Sequence, residues 1–129
     1  MQLEDQVISL DNAKKLKELG VKQDSFVSYI FYKKSRYELK ISNTGFDYQI
    51  QYSAFTAAEL LEIFPNINGN PIIIKKIYNF SEDIYYFCHY EHLEEIDVYC
   101  SDKNPANACA KMLIYLIENK LIEVKNDNN

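Results

Sequence analysis

Tyr52-Ser53-Ala54-Phe55-Thr56-Ala57-Ala58-Glu59-Leu60-Leu61-Glu62-Ile63-Phe64-Pro65 is the stretch on which the fold turns. Thr56 and Glu59 stand at the spacing of a capping box. In that box the Thr hydroxyl accepts from the amide three residues on, and the Glu carboxylate accepts from the Thr amide. Phe55 and Leu60 fall at the two positions of the hydrophobic staple. Leu60, Leu61 and Phe64 supply a buried face, and Pro65, which has no amide hydrogen to give, stops the helix after about two turns. A short helix therefore interrupts two long tracts of a different period.

Upstream, residues 25–52 alternate. Phe26, Ser28, Ile30 and Tyr32 fall on one side and Val27, Tyr29 and Phe31 on the other, the near-continuous apolar character of a strand covered on both faces or closed by a partner. Lys33-Lys34-Ser35-Arg36 is a polar turn. Tyr37, Leu39 and Ile41 then alternate with Glu38 and Lys40; after the turn Asn43-Thr44-Gly45, Phe46, Tyr48, Ile50 and Tyr52 alternate with Asp47, Gln49 and Gln51. This predicts a three-stranded antiparallel meander. Before it, Ser9 caps a helix with the apolar stripe Leu10, Ala13, Leu16 and Leu19. Gly20 supplies its left-handed end, and Val21 meets Leu16 as the apolar pair of a Schellman ending.

Downstream, Gly69 sits in a loop, and residues 72–80, 84–90 and 96–100 read as strands separated by Ser81-Glu82-Asp83 and residues 91–95. Asn104-Pro105 opens the last helix, with Asn as cap and Pro in the first turn. Ala108, Cys109, Met112, Leu113 and Leu116 form its buried stripe. Leu121, Ile122 and Val124 fold back as an apolar tail, and residues 125–129 are polar and frayed in character. The order is α-β-β-β-α-β-β-β-α. Strands clustered between helices give an α+β fold, an antiparallel sheet of about six strands against three helices, in one domain over residues 1–129.

The composition, 47% hydrophobic and 26% charged, is that of a chain able to bury a core. A net charge of −5 works against general affinity for a phosphate backbone. The three cysteines, at 88, 100 and 109, are odd in number and lack a paired-knuckle spacing, which suits free thiols in a reducing compartment. Met1-Gln2-Leu3-Glu4-Asp5 is acidic without an apolar run, so no signal peptide is expected, and no apolar stretch approaches the ~20 residues of a spanning helix. A cytoplasmic protein is expected.

Four residue sets could carry chemistry. Cys88, His89, His92 and Cys100 are the types that bind zinc, but on a strand Cys88 and His89 face opposite sides. The plainer reading is a buried Cys88, a surface His89 and a turn His92. The same region could hold a Cys–His nucleophile for a small hydrolase, yet Glu91, Glu94, Glu95 and Asp97 stand nearby, and acids raise a thiol's pKa. Those acids lack the glycine of a calcium loop and read as a solvated turn. Tyr29, Tyr32, Lys33, Lys34, Arg36, Tyr37 and Lys40 combine rings with cations, as single-stranded nucleic-acid binders do. The acidic total opposes that reading. No residue is therefore assigned a catalytic, cofactor-binding or metal-binding role, and no cofactor is expected.

Three stretches, Ala13-Lys14-Lys15-Leu16-Lys17-Glu18-Leu19-Gly20-Val21-Lys22-Gln23, Tyr52-Ser53-Ala54-Phe55-Thr56-Ala57-Ala58-Glu59-Leu60 and Ala110-Lys111-Met112-Leu113-Ile114-Tyr115-Leu116-Ile117-Glu118-Asn119, resemble small, uncharacterised phage and prophage proteins of bacteria. They cover about a quarter of the chain. The resemblance implies a bacterial or phage origin and transfers no activity. It also implies Gly where this chain has Lys120, so a strained or differently closed helix end is expected there. Together with eleven tyrosines, residues suited to interfaces, this points to a non-enzymatic accessory protein acting through a protein partner and through a homodimer joined by strand edges or an aromatic face.

Overall fold

Each helix begins where a capping side chain stands. The computed structural model describes residues 2–32, 36–41, 51–78, 80–91, 93, 96 and 98–124. After a single 3-10 turn at Leu3–Asp5, helix α1 spans Leu10–Glu18, with the Ser9 hydroxyl accepting from the Asn12 amide. Helix α2 spans Ala57–Ile63 behind the complete Thr56/Glu59 capping box. Helix α3 spans Pro105–Glu118, with the Asn104 side chain accepting from the amides of Ala106 and Asn107.

Among the described residues six strands are formed, all paired antiparallel, and the fold is α+β with the expected element order. They divide into two three-stranded sheets. In the first, β1 (Val27–Tyr32) lies between β2 (Arg36–Ile41) and β3 (Gln51–Ser53). A meander would have put β2 in the middle. The centre falls to β1 because it alone has burial on both faces: Val27, Ser28 and Ile30 are buried and Tyr29 half-buried. The Ala54 amide also donates to the Val27 carbonyl at 2.8 Å, extending the β3 side of the ladder. The alternation read over Phe46, Tyr48 and Ile50 lies outside the described residues, as do the turn Asn43-Thr44-Gly45 and the tail 125–129.

In the second sheet, β5 (Ile84–Tyr90) lies between β4 (Ile72–Tyr78) and β6 (Cys100–Asp102). The last strand starts later than the alternation suggested. Ile96, with Leu93, is drawn into the core instead of pairing, so the ladder opens only at Cys100.

Helix α3 lies at the centre, one side against β5 and β6 and the other against α1 and α2. Ala108, Cys109, Met112, Leu113 and Leu116 are all fully buried there, with Leu16, Phe55 and Leu60. Asparagines tie the helix starts together: the Asn107 carboxamide oxygen accepts from the Ser9 amide at 2.8 Å and from the Asn12 side chain at 2.9 Å. Asn104 donates to the Val7 carbonyl at 2.8 Å.

The ends of α1 and α3 share one device. Val21 donates to the Leu16 carbonyl and Gly20 to that of Lys17, both at 3.0 Å, a Schellman motif with Gly20 at φ 92°. In α3, Leu121 donates to Leu116 and Lys120 to Ile117 in the same pattern, and Lys120 takes the left-handed φ of 57° itself. The helix end without glycine thus closes in the usual way, at the cost of backbone strain on a lysine.

Candidate functional site

The sheets decide which reactive groups meet. Cys88 on β5 is paired in register with Cys100 on β6, and its thiol donates to the sulfur of Cys109 on α3. All three thiols are free, Cys88 and Cys109 being fully buried. The bond to Cys109 and then burial push the Cys88 thiol far up, while the same bond draws Cys109 down. Burial also raises Cys100, against the opposing pull of Lys111. Cys88 is therefore held as a neutral thiol, the opposite of an activated nucleophile. The acids nearby in sequence are not what does this; a second thiol and the core are.

His89 points to the other face of β5, as strand geometry demands, so no Cys88–His89 dyad forms. It is not the surface residue its position suggested. It is 2% exposed, its ring 4.7 Å from that of Tyr99, and its Nδ1 has no hydrogen-bond partner among the described residues. Tyr99, just ahead of β6, lies over this part of the outer face and covers it. His92, Glu94, Glu95 and Asp97 lie outside the described residues. Among the described residues, no group of three His, Cys, Asp or Glu side chains is placed to hold a metal ion.

The aromatic and basic residues of β1 and β2 are engaged within the chain. The Tyr29 hydroxyl donates to the Ile8 carbonyl at 2.7 Å. Tyr37 packs edge-on to Phe31 with centroids 5.3 Å apart, and Lys14 Nζ stands 5.0 Å from its ring centre. Arg36 and Lys40 both pair with Glu38, at 2.9 and 3.6 Å. Lys33 and Lys34 lie outside the described residues, and so does the side chain of Tyr32. A base seeking a free ring and a free cation here would have to displace these contacts.

Sequence reading missed what stands open at the far end of the second sheet. Tyr78 and Ile84 are register partners where β4 meets β5, next to Ile77. The turn beyond them carries Phe80 and is closed by Glu82 at φ 64°. Tyr78 is 64% exposed, Phe80 fully so, and Ile77 and Ile84 more than a third. β4 was legible in the sequence as a strand. What could not be read is that the core packs against only the Ile72 and Ile74 end of that strand, leaving the other end exposed. No family model, curated protein or solved structure matches this chain. No helix among the described residues is long and apolar enough to cross a membrane.

Proposed function

We propose that this chain is a non-enzymatic accessory protein of phage or prophage type that works by contact with protein surfaces, a second copy of itself included. The observation that carries this reading is the exposed apolar tip of the β4–β5 hairpin, where Tyr78 and Ile84 are register partners and Phe80 stands fully exposed in the turn. Single exposed apolar residues are ordinary, whereas grouped ones mark interaction sites. The tip adjoins β4, a seven-residue outer strand whose far edge has no strand partner among the described residues. Such an edge offers backbone donors and acceptors to another strand. Lys75 and Lys76 interrupt its apolar run, which limits indiscriminate pairing while leaving specific pairing open. The phage or prophage assignment rests on the three helix-associated stretches, and the bacterial cytoplasm suits three free thiols.

Sedimentation equilibrium tests the self-contact. The wild type is expected to associate in a concentration-dependent way, and the double variant Tyr78→Ser, Phe80→Asp to remain monomeric with an unchanged melting transition. A wild type that stays monomeric at every concentration overturns the homodimer.

A further inference from the structure

The three helices end around one groove. The loop after α1 contributes Val21, the stop of α2 contributes Phe64, and α3 contributes Leu113 and Ile117. The reversal at Lys120 then brings Ile122 and Val124 back to close the floor, Val124 reaching to about 4.0 Å from where a Cβ on Gly20 would lie. The space measures about 450 Å³, within the range of roughly 300–1,000 Å³ typical of ligand sites.

Its rim has the opposite character. Among the described residues that line it, Asp24, Glu62 and Glu123 stand against one cation, Lys22. Among the described residues none of these carboxylates forms an ion pair, whereas Lys15 and Glu118 nearby are joined at 3.1 Å. The C-terminal ends of α1 and α3, each the negative pole of a helix dipole, also meet here. An apolar floor under a negative rim is complementary to a cation carried on an apolar body. An anionic amphiphile would place its head against like charge.

We propose that this groove binds a segment of a partner polypeptide whose apolar side chains fill the floor and whose Lys or Arg meets Asp24, Glu62 and Glu123. The site rests on the reading of the chain as a contact protein. It uses none of the residues of the hairpin tip, so either surface can fail without the other.

The chain has no tryptophan, so indole fluorescence reports on an added peptide alone. The probe is an acetylated, amidated Lys-Leu-Trp-Leu-Lys peptide, compared with Glu-Leu-Trp-Leu-Glu. The basic peptide is expected to bind with a blue-shifted emission that weakens with salt, and the acidic one not to bind. The double reversal Asp24→Lys, Glu62→Lys is expected to weaken binding about fivefold or more, and Ile63→Ser at the lip to weaken it less. A distant reversal, Glu4→Lys, is expected to leave it unchanged. Equal binding of both peptides, or equal loss from the distant and rim reversals, overturns the proposal, because the first removes the charge selection and the second leaves only the chain's net charge.

Discussion

Gly20 and Lys120 occupy the same position in the same helix-ending motif, one free of strain and the other not. A side chain in the left-handed region costs about 1–2 kcal/mol, partly offset because glycine has more freedom to lose on folding. Lys120→Gly is therefore expected to stabilise the protein by about 0.5–1 kcal/mol, and Gly20→Ala to destabilise it by about 1 kcal/mol, both read from urea midpoints. The space around Gly20 is open, so its penalty is torsional and not a clash. The sequence located both helix ends, because a Schellman ending is specified by residues within one turn. It could not locate the burial of His89. That depends on Tyr99, ten residues away and brought over the ring only when β5 and β6 pair.

Tyr90 gives a residue-scale prediction with a sign. Burial, and then the neighbouring Cys88, push its hydroxyl from the ordinary 10.0 up to about 12, and it donates to the Pro65 carbonyl at 2.7 Å. The folded chain thus holds this proton more tightly than the unfolded chain. The resulting stability is fully present below pH 10 and is lost as pH rises towards 12. Tyr90→Phe should cost about 1 kcal/mol at neutral pH through the lost hydrogen bond. It should also show a shallower decline than the wild type over that alkaline interval in pH-dependent urea unfolding; parallel curves would contradict the assignment.

Among the elements, α2 is too short to be stable on its own and is held by its cap and its packing. Glu59 does more than complete the box. Its carboxylate accepts from the Thr56 amide at 2.9 Å, the Ser25 hydroxyl at 2.8 Å and the Phe26 amide at 3.1 Å, fastening the entry of β1 to the start of α2. Glu59→Ala should therefore cost about 2–3 kcal/mol against about 1 kcal/mol for Thr56→Ala, since hydrogen bonds to a charged group are the stronger ones. Equal losses in thermal or urea unfolding would show that the link to β1 carries no weight. The box was legible in four consecutive residues, while the link to β1 was not, because its partners lie more than thirty positions apart. The strand order was missed for a related reason. Alternation tells which residues share a face but not which strand lies beside which, and the double burial that makes β1 central appears only in the folded chain.

At the level of the whole molecule, α3 divides the protein into a side that is closed and a side that is not. The core around it takes in Ile72, Ile74, Cys88 and Tyr90 of the second sheet, while the hairpin tip lies outside it. Sequence patterning marked β4 as a strand and had no means of telling that its outer end would leave Ile77, Tyr78, Phe80 and Ile84 exposed. The cysteines show the converse: three residues far apart in the chain converge, but in a dry interior where Cys88 is held protonated. Among the described residues the cysteines are thus spent on packing, while the hairpin tip presents apolar side chains to solvent. The most direct measurement is hydrogen exchange of the amides of Ile72–Tyr78 and of the hairpin tip as a function of protein concentration. Protection that rises with concentration at this edge, and not in β1 or β2, is the predicted result; exchange that is the same at every concentration would contradict the contact surface.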